Sequence, residues 1–113
     1  MKLLMRQEHH NRPRYVTMNT RDFQYAGDVV AFRKHGRGVF TNGQCTYDGE
    51  FQSGLFHGTG KVEYPKLQVA YEGGFENGEA HGTGKISKFA VDSDGVGKWT
   101  TTTHQFKQGK LIE

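Results

Sequence analysis

Residues 47–60 read Tyr47-Asp48-Gly49-Glu50-Phe51-Gln52-Ser53-Gly54-Leu55-Phe56-His57-Gly58-Thr59-Gly60. Tyr47, Gly49 and Phe51 alternate with Asp48, Glu50 and Gln52, the period of two that marks a strand with one apolar face. Ser53-Gly54 breaks the alternation with a pair suited to a two-residue hairpin loop, where both residues need positive φ. The chain is expected to fold back on itself here. The phrase recurs: Tyr71-Glu72-Gly73-Gly74-Phe75 leads through Asn77-Gly78 to His81-Gly82-Thr83-Gly84, and Tyr25-Ala26-Gly27 precedes His35-Gly36-Arg37-Gly38. The three tyrosines are spaced by 22 and then 24 residues. Self-similarity at such a period means stacked supersecondary units, none of which buries its apolar face alone. A repeated surface, rather than a catalytic pocket, is the expected working part.

Counting outward from Ser53-Gly54 pairs Phe51 with Phe56, Gly49 with Gly58 and Tyr47 with Gly60. Counting from Asn77-Gly78 pairs Phe75 with Ala80, Gly73 with Gly82 and Tyr71 with Gly84. A ring opposite a glycine can lie flat on bare backbone, so the glycines read as clearance for rings. Glu50 falls opposite His57 on the other face, an exposed pair worth about 0.2–1 kcal/mol.

A chain of 113 residues forms one domain, and a hydrophobic share of 34% is too small for a thick two-layer core, so a thin sheet is expected. All 16 glycines fall between Gly27 and Gly109. Residues 1–22 hold Lys2, Arg6, Arg12, Arg14 and Arg21 against Glu8 and Asp22, whereas the remaining residues balance ten basic against ten acidic side chains. This switch divides a flexible basic tail, residues 1–22, from a repeat domain, residues 23–113. Cys45 is the sole cysteine, so no internal disulfide forms and a cytoplasmic setting is expected. No apolar run approaches the roughly 20 residues of a spanning helix, and Leu3-Leu4-Met5 is too short for a signal-peptide core.

The pattern Tyr-x-Gly-x-aromatic, a turn glycine, then His-Gly-x-Gly resembles the MORN repeat, the membrane occupation and recognition nexus motif, from residue 25 to about residue 112. The second and third copies match at every one of those positions. The resemblance implies an all-β fold: a single-layer antiparallel β-hairpin meander or solenoid of about three and a half repeats, beginning near residues 25, 47, 71 and 102. Two departures shape expectations. In the first copy Val29 replaces the aromatic and Phe32 stands where the turn glycine belongs, so that hairpin is expected to have a different or longer loop. In the fourth, Phe106-Lys107-Gln108-Gly109 matches Phe51-Gln52-Ser53-Gly54, while Thr102 and His104 replace the tyrosine and the glycine. Degenerate end units are typical of solenoid caps.

Several chemistries fail on spacing. Asp92-Ser93-Asp94-Gly95 reads as a turn; it lacks the third acidic ligand and the bidentate glutamate of a calcium loop. His35, His57 and His81 repeat with the hairpins, which advance by roughly 9.6 Å, while zinc ligands lie within about 2.1 Å of one ion. Each histidine is expected to pack or hydrogen-bond inside its own repeat, and His9-His10 reads as a solvated pair. No third glycine and no helix follow the Gly-x-Gly pairs, which removes the dinucleotide and phosphate-loop readings. Cys45 has no His and Asn constellation, and no carboxylate pair is placed for acid–base work. No enzyme activity, metal, cofactor or nucleic-acid partner is expected.

What remains is a surface. One face of the sheet is expected to carry Tyr25, Tyr47, Phe51, Phe56, Tyr71 and Phe75, part of it covered by the tail, by Trp99 and its neighbours, or by a partner; the alternative is that these rings only pack on each other. Family resemblance implies a scaffold that holds a partner helix or extended peptide along these six aromatics, in a ciliary, flagellar or other cytoskeletal assembly. The alternative is a peripheral module on anionic phospholipid using Lys2, Arg6, Arg12 and Arg14, each worth about 1 kcal/mol near such a surface. Unpaired backbone near Phe106 also suggests an edge-to-edge homodimer.

Overall fold

A computed structural model describes residues 14–112. They form β1 (Arg14–Asn19), β2 (Phe23–Val30), β3 (Arg33–Asn42), β4 (Thr46–Gln52), β5 (Leu55–Tyr64), β6 (Val69–Glu76), β7 (Glu79–Val91), β8 (Gly97–Lys107) and β9 (Lys110–Ile112), with no helix among the described residues. All nine lie in one open antiparallel sheet in chain order, the single-layer hairpin meander that the repeats imply.

Strand β1 falls within the segment that composition assigns to the basic tail. It pairs with β2 from Arg14↔Val29 to Asn19↔Gln24, and its alternate apolar residues Val16 and Met18 pack against the core.

Three hairpins close with two-residue turns whose residues have positive φ: Ser53 and Gly54 at 50° and 87°, Asn77 and Gly78 at 51° and 87°, Gln108 and Gly109 at 51° and 80°. The first hairpin was expected to differ, and it does not. Val30 pairs with Arg33, and Ala31 and Phe32 adopt φ of 50° and 66°. Strand pairing sets the loop length and forces two non-glycine residues into the left-handed region, at about 1–2 kcal/mol each.

The register departs from a plain outward count by a repeated bulge. Phe51 pairs with Phe56 as expected, but Gly49 then pairs with Gly60 and Tyr47 with Val62, so Gly58 and Gly60 are not their respective partners. The same slip gives Gly73↔Gly84 and Tyr71↔Ile86, in place of Gly82 and Gly84, with Phe75↔Ala80 retained; in the first hairpin Gly27↔Gly38 is followed by Val29↔Lys34. The extra residues belong to His-Gly-x-Gly, whose first glycine takes the positive φ of the bulge: 72° at Gly36, 69° at Gly58 and 81° at Gly82. Glu50 accordingly does not face His57. Its carboxylate accepts the Thr59 backbone N–H at 2.6 Å, and Asp28 accepts that of Arg37 at 3.3 Å.

The second glycine of each motif serves the aromatic packing. Gly27, Gly38, Gly49, Gly60, Gly73 and Gly84 face one another in succession across β2 to β7. Tyr25, Tyr47 and Tyr71 lie along this bare strip, and a Cβ on Gly60 would come within 2.6 Å of Tyr47 Cε1. Each tyrosine hydroxyl then donates to a carbonyl three residues ahead: Tyr25 to Asp28 at 2.7 Å, Tyr47 to Glu50 at 2.7 Å, Tyr71 to Gly74 at 2.8 Å.

Neighbouring hairpins are joined at their turns. The N–H groups of Gly54, Gly78 and Gly109 donate to the carbonyls of Lys34, Phe56 and Ala80 in the preceding hairpin, at 2.8, 2.9 and 2.9 Å. At the far end β7 and β8 outrun β6. Its last pair is Val69↔Lys88, whereas Phe89 to Val91 continue against Trp99 to Gly97. Asp92 closes that arm by accepting the N–H groups of Asp94 and Val96, both at 2.9 Å.

Candidate binding surface

All six aromatics expected at a binding face do lie on one face of the sheet, but their exposure differs. Tyr25, Tyr47, Phe51, Tyr71 and Phe75 are buried, together with Phe106 and Val62. Phe51 stands edge-on to Tyr25 and Tyr47, with centroids 5.4 and 5.0 Å away. Phe75 repeats this with Tyr47 and Tyr71 at 5.3 and 5.1 Å, and Phe106 closes on Tyr71 at 5.2 Å. Alternating tyrosine and phenylalanine rings thus bury one another in a herringbone that crosses hairpin boundaries. Without a second layer among the described residues, Tyr47 is 0% exposed.

Phe56 is the member of the six that keeps accessible area; it is half-buried, stacked on Tyr47 at 3.8 Å with planes 4° apart. Around it, Phe23, Phe40, Tyr64 and Ile86 are also half-buried and pack against the herringbone. These four were missed from the sequence. Their signal was the continued alternation: Phe40 and Ile86 stand two positions beyond Gly38 and Gly84, on the face the tyrosines occupy. Lys34 also lies over this face, its ammonium 5.6, 5.7 and 5.3 Å from the ring centres of Phe23, Tyr25 and Phe40. That is within cation–π reach.

Electrostatics separate the two faces. Burial, with Asp28 nearby, pushes the Tyr25 hydroxyl up to about 12, and burial with Glu50 nearby does the same for Tyr47. Burial also raises Tyr64, Tyr71 and Cys45; Cys45 packs against the core, which is not the setting of an activated thiolate. The opposite face carries Asp48, Lys61, Glu72 and Lys85 as successive cross-strand partners of alternating sign. Trp99 belongs to this charged face, beside Lys61, Glu63, Glu72 and Ser87 in a shallow cleft. Of the covers considered for the aromatic face, Trp99 is therefore not one.

The repeated histidines sit at the bulges. Instead of bonding inside its own repeat, His35 accepts the backbone N–H of Ser53 in the next hairpin through Nδ1 at 3.4 Å. Among the described residues no three metal-ligating side chains gather. Of the cations considered for lipid contact, Arg14 is an exposed residue of β1, and Lys2, Arg6 and Arg12 lie outside the described residues. No helix among the described residues is long and apolar enough to cross a membrane.

Among the described residues the chain is a one-layer sheet of repeated hairpins held by its own rings, the architecture of a repeat module. A family model for the MORN repeat matches residues 25–45, 47–67 and 71–87, more than half of the chain. The chain belongs to the MORN-repeat family, a non-catalytic repeat module often found in binding and scaffold roles. A search of curated proteins gives no match.

Proposed function

We propose that this chain is a non-enzymatic scaffold holding an apolar segment of a protein partner, helical or extended, against its aromatic face. The observation that supports this reading is the asymmetry of the sheet. One face offers half-buried Phe23, Phe40, Phe56, Tyr64 and Ile86 packed on the herringbone, while the other carries the row Asp48, Lys61, Glu72 and Lys85. Tyr25, Tyr47, Phe51, Tyr71 and Phe75 act as the floor: they are already buried, so the partner gains little from them directly. Its affinity comes from completing the burial of the half-exposed rings, each contributing less than the roughly 1.5–3 kcal/mol of a fully buried side chain, before ordering costs.

This division dictates the experiment. Removing Tyr71 and Phe75 would disturb folding itself, so the informative variant is Phe40→Ala/Phe56→Ala, with its fold checked by circular dichroism. Partner capture from cells should fall strongly for this variant and stay unchanged for Glu72→Lys on the charged face. Equal recovery with the folded Phe40→Ala/Phe56→Ala protein would sink the reading.

A further inference from the structure

The charged side chains of the strands are not shared evenly between the two faces. Cross-strand pairing carries the side of Tyr25, Tyr47 and Tyr71 from β1 to β8 and puts Arg14, Lys34, Lys88 and Lys98 on it. No strand carboxylate among the described residues joins them. From Asp28 in β2 to Glu79 in β7, all lie on the opposite face, interleaved with Arg37, Lys61 and Lys85. The aromatic face is thus cationic as well as apolar, whereas the opposite face is mixed in sign.

Lys34, Phe56 and Ala80 hold one and the same position of the repeat. They pair with Val29, Phe51 and Phe75, and their carbonyls receive the N–H groups of Gly54, Gly78 and Gly109. Phe56 lies flat on Tyr47, and Lys34 takes the matching place over Tyr25. No described carboxylate pairs with Lys34. Ala80 puts only a methyl group there. Along the sheet the outward side chain therefore changes from cation to ring to methyl at each hairpin step.

We infer that the segment held on this face is an acidic amphipathic helix laid across the strands, with a carboxylate over Lys34 and apolar side chains against Phe56 and Ala80. The inference rests on the scaffold reading and specifies its ligand. A face with cations and no carboxylate favours an anionic chain over a basic one. Spacing selects the helix. Hairpins advance by roughly 9.6 Å, and seven helical residues, which return to the same side, rise about 10.5 Å. An extended chain covers that step in about three residues, an odd number that turns its side chains away. Relief excludes a flat bilayer as the better fit. Large apolar side chains stand exposed on the opposite face at Tyr15, Val39, Leu55 and Trp99, while Phe40, Phe56 and Ile86 are half-buried. A recessed apolar row receives the ridge of a helix and offers little to insert into lipid.

Two blocked peptides of about 21 residues, three heptads of an alanine- and glutamine-based helix, supply the test. Both carry leucines along one stripe at spacings of seven, and the stripe begins with glutamate in one and with lysine in the other. Titrated into the full chain by calorimetry, the glutamate peptide should bind at least about tenfold more tightly. Lys34→Glu should reverse that order, Lys61→Glu on the opposite face should leave it unchanged, and Phe40→Ala/Phe56→Ala should weaken both peptides. Equal binding of the two peptides with the dependence on Phe40 and Phe56 intact would overturn this inference and leave the scaffold reading standing. A preference that Lys61→Glu shifts as much as Lys34→Glu would also overturn it. So would the absence of binding by either peptide, because the face would then be closed to a helix, or Lys34-dependent sedimentation with phosphatidylserine vesicles in place of peptide binding, because the ligand would then be a membrane.

Discussion

Phe51 of the second hairpin meets Tyr25 of the first edge-on, with ring centroids 5.4 Å apart and planes at 88°. The same phenylalanine touches Tyr47 in its own hairpin, so one ring couples two repeats. Phe51→Ala is expected to cost about 3–5 kcal/mol, whereas Leu55→Ala, at an exposed position four residues on, should stay within about 0.5 kcal/mol of wild type. Urea unfolding followed by circular dichroism measures both, and comparable losses would contradict the herringbone as the source of stability.

Two glycines make a sharper pair. A Cβ on Gly60 would collide with the Tyr47 ring, while one on Gly43 meets nothing within 4 Å. Gly60→Ala should lower stability by about 1–3 kcal/mol or more through forced repacking, and Gly43→Ala should be neutral or stabilise by up to about 1 kcal/mol by restricting the unfolded chain. Thermal melts of the two proteins side by side decide the matter.

The first turn stores strain that substitution can release. Ala31→Asn/Phe32→Gly supplies the residues that tolerate the positive φ found there and should stabilise the protein by about 1 kcal/mol. A lower denaturation midpoint for this variant would show that the turn is not what limits the hairpin.

Alkali should unfold the sheet through its tyrosines. Tyr25 and Tyr47 have hydroxyl pKa values raised from 10.0 to about 12, so at high pH the folded state binds more protons than the unfolded one. Stability from these groups is complete below pH 10 and is lost as pH rises toward about 12. Ionisation also removes the proton that each hydroxyl donates to a main-chain carbonyl. Denaturant unfolding across this window should show the decline, and Tyr25→Phe/Tyr47→Phe should flatten it; an equally steep decline in that variant would assign the effect elsewhere.

The repeat, the strand order and the aromatic face could be read from spacing alone because Tyr, Gly and Phe recur at positions that a period of two sends to one side. The register could not. A hairpin count assumes equal steps on both strands, and His-Gly spends two residues on a bulge, so Gly49 finds Gly60 instead of Gly58. Nor did composition reveal β1: Arg14 reads as part of a basic segment, while Val16 and Met18 become strand residues by packing on rings supplied by β2. The extent of ring burial was likewise hidden, since it depends on edge-on contacts between residues of different repeats. That contact pattern is why most of the expected binding residues form a floor and Phe56 remains at the surface.

The backward hydrogen bonds from Gly54, Gly78 and Gly109 to Lys34, Phe56 and Ala80 give the sheet a direction of growth. During synthesis, each emerging hairpin finds its acceptor carbonyl already in place on the one completed before it, and never waits for a later residue to close that bond. Such a chain can be assembled vectorially on the ribosome, unit by unit, with sequence-local contacts leading at every step.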